Sequence, residues 1–435
     1  MGSETNGQYE STERMSELRM VVTRKGVVPL AGSQLSFEFG SVVWWLLLPI
    51  IAANVSDASA TQISVIVTLS TVANLVASLP FGVIADRASA RSTMITCSAA
   101  KVGIALVVLG GVIAGYLPVW VLFIMAFLGG MAECLYYIGQ QAVIPKVLSD
   151  DDLVGGNSIL RGSESVAQVS GSLIGGWLMT ALGVIAGPIV DIVSNVAAIA
   201  MAGGLPAERN HPKDTGSTDP EPQPGQLRTE LLTGLRIVRD TPVFRTLLGC
   251  GVTLNIASSM SVAVESAFAV VTLGATPLQL GFLFAIGSVG GILAGVLATP
   301  LVKKLGLWRS LRLGLVVFCP WAFLLPLAQS GWWVLLIGIG NAAVTFGLMI
   351  VVIASATIRQ RSVDADAQGR VASTFRWITG GVVPIGSIIG TVLNGFIGTR
   401  PTLVVSAILL CCGVLWVLRN QYPSAATSVP TLPHN

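Results

Sequence analysis

Five carboxylates stand inside stretches of sequence that are otherwise apolar: Glu38, Glu133, Glu164, Asp191 and Glu265. If those stretches lie in hydrocarbon, each carboxylate costs a few kcal/mol or more unless it is paired, protonated or in contact with water. The chemistry open to such a group is to take up and release a proton or to hold a cation. Neither histidine can do this, because His211 lies in a proline-rich polar stretch and His434 in the tail. Glu38 is the first choice for a proton or cationic-substrate site. It sits about ten residues into its apolar run, near mid-depth, beside Phe37, Phe39, Trp44 and Trp45. Glu164 follows Arg161 by one helical turn and shares its face. With Glu133 at a similar depth on the preceding run, these residues fit an ion network as well as a proton relay. Phe37, Trp44 and Trp45, with Tyr136 and Tyr137 beyond Glu133, are the candidate cavity aromatics. Lys101 is a further costly charge, for which a structural partner is expected.

The elements that must carry these groups follow from composition. Of 435 residues, 53% are hydrophobic and 11% charged, and mean hydropathy is +0.77. Soluble domains carry about 25% charged residues, so the chain is an integral membrane protein. Twelve apolar runs approach the roughly 20 residues a helix needs to cross a bilayer. They lie near 27–53, 60–85, 92–115, 117–140, 160–181, 185–205, 245–272, 278–302, 310–329, 331–355, 373–396 and 400–418. Basic residues mark one side. Arg14, Arg19, Arg24 and Lys25 precede the first run, and the even-numbered turns hold Arg87, Arg91, Lys146, Lys303, Lys304, Arg309, Arg359, Arg361 and Arg370, against Arg400 in the odd-numbered turns. By the positive-inside rule both termini are expected in the cytoplasm. The net charge of +3 reflects this arrangement and implies no nucleic-acid partner. Residues 1–24 are polar, and the first apolar run is long enough to span, so no cleavable signal is read. All six cysteines fall in apolar runs, with no disulfide framework or metal-ligand spacing.

The pattern divides the chain into an N-terminal tail (1–26), a first six-helix bundle (27–205), a linker (206–244), a second six-helix bundle (245–419) and a C-terminal tail (420–435). The linker is proline-rich at first, and Leu227 to Arg245 then alternates apolar and basic positions as an amphipathic helix on a membrane surface would. A shift of 215 residues lays Leu160-Arg161 on Phe375-Arg376 and Gly171-Ser-Leu-Ile-Gly175 on Gly386-Ser-Ile-Ile-Gly390. Such an internal repeat relates the fifth span to the eleventh. Parallel halves of this kind are a transporter architecture. The expected fold is an all-α membrane protein with twelve transmembrane helices in two pseudo-symmetric six-helix bundles. Arg376 should then lie at the cytoplasmic mouth and change partners between states, while Arg161 keeps Glu164.

Between the second and third runs stands Gly82-Val-Ile-Ala-Asp86-Arg87-Ala-Ser-Ala-Arg91. It resembles the signature loop of the major facilitator superfamily, departing at Ser89, where glycine is usual, and at Ser92, where another basic residue is common. The resemblance implies that Gly82, Asp86, Arg87 and Arg91 form a gating loop at helix ends. It also implies that the first, fourth, seventh and tenth spans line the cavity, with parts of the second, fifth, eighth and eleventh. That favours Glu38, Glu133, Glu164 and Glu265 and makes Asp191 peripheral. Further stretches, Ala142-Val-Ile-Pro145-Lys146, Gly234-Leu-Arg236, and Arg359-Gln-Arg361 with Gly369-Arg370-Val371-Ala372, resemble exporters that include macrolide-efflux proteins, a mycobacterial multidrug pump and enterobactin exporters. The segment Gly171-Ser172-x-x-Gly175-Gly176 is similar to the glycine-rich stretch of the superfamily's antiporters, but Ser172 stands where proline is expected.

The function expected from these readings is secondary active export of a hydrophobic or amphipathic small molecule by alternating access, as a proton antiporter in a bacterial plasma (inner) membrane. No cofactor or metal is expected, and the protein is expected to act as a monomer. No phosphate loop of the GxxxxGK[ST] type argues for primary active transport. The rival readings are a proton-coupled importer, a lipid-related transporter and a transport-inactive sensor or scaffold.

Overall fold

The computed structural model describes residues 26–85, 89–148, 153–205, 235–362 and 365–419. Twelve long helical segments run through them. They are α1 (Val27–Asn54), α2 (Ala60–Ala85), α3 (Ala90–Ile113), α4 (Val119–Val147), α5 (Leu153–Leu182), α6 (Ala186–Gly203), α7 (Pro242–Ala267), α8 (Pro277–Leu305), α9 (Leu307–Leu327), α10 (Leu335–Arg361), α11 (Ala365–Ile397) and α12 (Thr399–Arg419). Eleven of them are long and apolar enough to cross a membrane. The exception is α5, where Arg161, Glu164, Gln168 and a run of glycines and serines lower the hydropathy. Helices are the natural outcome, because a hydrocarbon environment leaves a spanning backbone no partner but itself.

The helix ends obey local chemistry. At the start of α2, the Ser59 amide donates to Gln62 Oε1 at 2.8 Å and the Gln62 amide donates to Ser59 Oγ at 3.3 Å. Thr276 and Gln279 repeat this reciprocal cap at the start of α8. The α9 segment is irregular: it passes through a π turn at Gly314–Phe318 and a 3-10 turn at Cys319–Phe323. Pro320 explains the break, since it has no N–H to donate and crowds the preceding turn. Pro384, by contrast, lies inside an α11 that stays helical from Ala365 to Ile397.

Two compact units make up the chain. Among the described residues, the first comprises 26–58, 69–85, 89–148, 153–205 and 276–285. Within it α1 packs on α5 and α6, and α3 packs on α4 and α6. Gly171 and Gly175 of α5 lie against Val42 and Val43 of α1, so close that an added methyl at Gly175 would come within 2.9 Å of Val43. The second unit comprises, among the described residues, 59–68, 235–275, 286–362 and 365–419. In it α7 packs on α11 and α12, and Gly386 and Gly390 of α11 lie against Ile256, Ser259 and Met260 of α7. The repeated Gly-x-x-x-Gly therefore does the same work in both units. It lets α5 approach α1 and α11 approach α7 at backbone distance, where dispersion between close-packed helices replaces a hydrophobic driving force.

Two stretches group away from their neighbours in sequence. The first turns of α2 belong with the second unit, where Thr68 Oγ1 lies 2.8 Å from Ser387 Oγ and 2.7 Å from Thr391 Oγ1, and Asn394 donates to Ser64 Oγ at 2.9 Å. The first turns of α8 belong with the first unit, where Gly281 meets Gly176 and the Ser172 carbonyl. Of the linker, residues 227–234 lie outside the described residues, and 235–240 are helical. Val238 is 2% exposed in the core with Phe244, Leu311 and Val351, and Ile237 packs against that core. Val238 and Ile237 thus dock this short helix on the second unit.

Candidate functional site

In the first unit the polar residues of α1 recur at helical spacing. Gln34, Glu38 and Ser41 share one face, and all three are buried. Glu38 is 5% exposed and accepts a hydrogen bond from the Tyr137 hydroxyl of α4. Glu133, one turn earlier on α4, is half-buried near the Trp45 indole. Glu133 and Glu164 both lie within electrostatic reach of Glu38. Arg161 pairs with Glu164 at 2.8 Å, with the arginine side chain 75% exposed, so the pair contributes little to stability. The aromatics do two jobs. Tyr137 and Trp45 lie beside the carboxylates, whereas Phe37, Trp44 and Tyr136 belong to the packed interior. Phe37 and Tyr136 stack with centroids 3.5 Å apart, and the Tyr136 hydroxyl is 2.8 Å from Ser33 Oγ.

The residues that sequence reasoning set aside lie next to this group. Lys101 of α3 is 1% exposed, donates to Ser41 Oγ at 2.7 Å and lies 5.0 Å from the Phe37 ring centroid. Its charge acts on Glu38, Glu133 and Asp191. Asp191 of α6 is wholly buried, with Asn195 Nδ2 donating to its Oδ1 at 2.9 Å. Gly40 is the reason. An added methyl at Gly40 would lie 2.8 Å from Asp191 Oδ1, so the missing side chain on α1 makes the space that the carboxyl group occupies. Asp191 Oδ2 and Gln34 Oε1 have no hydrogen-bond partner among the described residues. The charge of buried Lys101 thus reaches three carboxylates, Glu38 and Asp191 buried and Glu133 half-buried, which exceed it by two negative charges when all are ionised. A cluster of that composition calls for protons or a bound cation.

The second unit holds a simpler arrangement. Glu265 of α7 is 6% exposed and accepts from Asn341 Nδ2 of α10 at 2.7 Å. Three residues on, α7 widens into a π turn at Phe268–Thr272, a distortion that recurs at functional sites. Arg376 is exposed on α11. Arg359 lies over the Phe375 ring at 4.4 Å, a contact the sequence did not announce. No group of three or more metal-ligating side chains occurs among the described residues.

Of the candidate gating loop, Gly82 lies in the last turn of α2, and Asp86 and Arg87 lie outside the described residues. A model of the Major Facilitator Superfamily matches residues 30–384. The chain belongs to that superfamily. Solved structures of the fold are similar over nearly their whole length. The nucleoside transporter NupG aligns at 12% identity and a TM-score of 0.65 over 91% of this chain and 99% of its own. A bacterial homologue of the iron transporter ferroportin in an inward-facing state aligns at 16% and 0.66 over 90% and 98%. A bacterial homologue of the human lysosomal transporter Spinster aligns at 13% and 0.64 over 94% and 97%. At such identities the likeness speaks for the fold alone. No curated protein sequence matches the chain.

In this superfamily member Arg91 has a defined task. Its guanidinium donates to the Leu205 carbonyl at 3.0 Å and the Gly203 carbonyl at 2.6 Å. Those carbonyls end α6, where the helix itself supplies no donor and where a cation complements the dipole. Arg91→Ala is expected to lower stability by about 1–2 kcal/mol, the net worth of charge-assisted bonds at a half-buried site. Denaturation of the purified variant measures this, and Arg91→Lys, which keeps the charge but not the fork, should recover part of the loss.

Proposed function

We propose that the chain is a proton-coupled exporter of a hydrophobic or amphipathic small molecule, working by alternating access in a bacterial inner membrane with both termini cytoplasmic. Membership of the superfamily makes it a secondary transporter. The observation that carries the rest is that Glu38 and Asp191, both buried, and the half-buried Glu133 lie within electrostatic reach of the buried Lys101, on α1, α3, α4 and α6. A carboxylate held by one tyrosine hydroxyl and placed near two others can bind a proton without unfolding its surroundings and give it up when water reaches it. Histidine, the usual alternative carrier, is missing from every span. The basic residues gathered in the even-numbered turns support the assigned orientation, and the resemblance of residues 142–146, 234–242 and 359–372 to drug and siderophore exporters supports the direction.

The test is accumulation of a fluorescent lipophilic cation in cells with and without the protein. An exporter lowers accumulation, and a protonophore removes the effect. Raised accumulation makes the protein an importer, and no change in either arm makes it a sensor or scaffold for this class of compound.

A further inference from the structure

Where α7 begins and α12 ends, the second unit contains a cavity of about 680 Å³. Arg245, in the first turn of α7, and Arg419, the last residue of α12, stand at it, and both are exposed. The ion pair found among the described residues is Arg161 with Glu164, so neither of these guanidinium groups is neutralised there by a carboxylate. Thr246 and Thr253 add hydroxyl groups to the lining, and Leu409 and Trp416 add apolar wall. The wall is built rather than incidental. The Trp416 indole lies flat on α7 at Gly249, where an added methyl would come within 2.7 Å of the ring, and its N–H donates to Thr253 Oγ1 at 3.2 Å.

The occupant follows from the chemistry of this lining and from its place. Two guanidinium groups without a carboxylate partner among the described residues, beside the positive end of α7, suit a phosphate, which arginine holds in a forked geometry. The neighbouring side chains on α12 are Leu415, Trp416 and Leu418, exposed by 62%, 44% and 47%. On a membrane-spanning helix such side chains meet acyl chains, and tryptophan settles at headgroup level. A soluble phosphate compound would gain nothing from that wall, whereas a phospholipid uses both parts. We propose that this cavity binds an anionic phospholipid, its headgroup phosphate held by Arg245 and Arg419 and its acyl chains laid along Leu415 and Trp416. Basic pockets between helices at one membrane face are general sites for acidic headgroups. The site is independent of the direction of transport.

Native mass spectrometry of the full-length protein, titrated with dioleoylphosphatidylglycerol or dioleoylphosphatidylcholine, tests this. Wild type should retain the glycerol lipid in clear preference to the choline lipid. R245Q/R419Q should weaken its binding about 30-fold, which corresponds to about 1 kcal/mol for each arginine near the surface. R236Q/R239Q removes the same charge from exposed positions on the preceding helix and should change binding by less than about threefold. Glycerophosphoglycerol, the headgroup without chains, should not displace the lipid. Equal retention of the two lipids by wild type overturns the proposal without recourse to any variant. So does unaltered binding in R245Q/R419Q, an equal loss in R236Q/R239Q, or displacement by the soluble headgroup, which would make the ligand a free phosphodiester.

Discussion

Glu38→Gln is expected to abolish uphill transport driven by a pH gradient, by at least about tenfold, while substrate binding falls by less than about threefold. Glutamine keeps the shape of the side chain and can still accept from the Tyr137 hydroxyl, so the packing of α1 against α4 is preserved. What it cannot do is exchange a proton. Because Glu38 is 5% exposed and lies near Glu133 and Glu164, its charge state decides how much negative charge the bundle must hold. A neutral, non-titrating side chain fixes one state of that balance, and the cycle then has no reason to carry a proton across. Transport in reconstituted vesicles with an imposed pH gradient, compared with equilibrium binding of the same substrate, separates the two effects. A variant that still concentrates substrate as well as wild type removes Glu38 from coupling and moves Glu133 and Glu265 to the front.

Lys101→Met should cost about 1–3 kcal/mol of stability, the range for leaving a buried hydrogen-bond partner, here Ser41, without its donor. The methionine fills nearly the same space, so lost packing contributes little. The larger effect is electrostatic: the one ammonium group that offsets Glu38, Glu133 and Asp191 disappears, and Asp191 is wholly buried with one carboxylate oxygen unpartnered. Relief should therefore come from the other side. K101M/D191N is expected to recover more than half of the loss, because the asparagine takes away the charge that lysine balanced. Unfolding of the purified proteins in detergent gives the comparison. If K101M unfolds with wild type, or if the double variant is no more stable than K101M, Lys101 does not balance Asp191.

Much of this protein was legible before its tertiary structure. Hydrocarbon forces a backbone to satisfy itself, so long apolar runs become helices wherever they occur, and the predicted second span, 60–85, is α2 residue for residue. The fifth and eleventh spans were read too short, since α5 starts at Leu153 and α11 at Ala365. Their polar first turns carry no hydropathy signal and are helical through continuation of the backbone ladder. The repeated Gly-x-x-x-Gly was visible as sequence, and its meaning as close packing of α5 on α1 and of α11 on α7 follows from the same small-residue rule in both units. Glu38 and Glu265 could be chosen as candidates from charge and depth alone. Their partners could not, because Tyr137 lies 99 positions from Glu38 and Asn341 lies 76 from Glu265. A hydrogen bond across that separation depends on helix rotation, which a nearly uniform apolar surface does not encode. The clearest case is Asp191. A position on the sixth span does not say what the side chain packs against; a single absent side chain at Gly40 opens a space between α1 and α6 that the carboxyl group fills. Only tertiary packing decides which side chains share such a space, and with it which charges must answer one another.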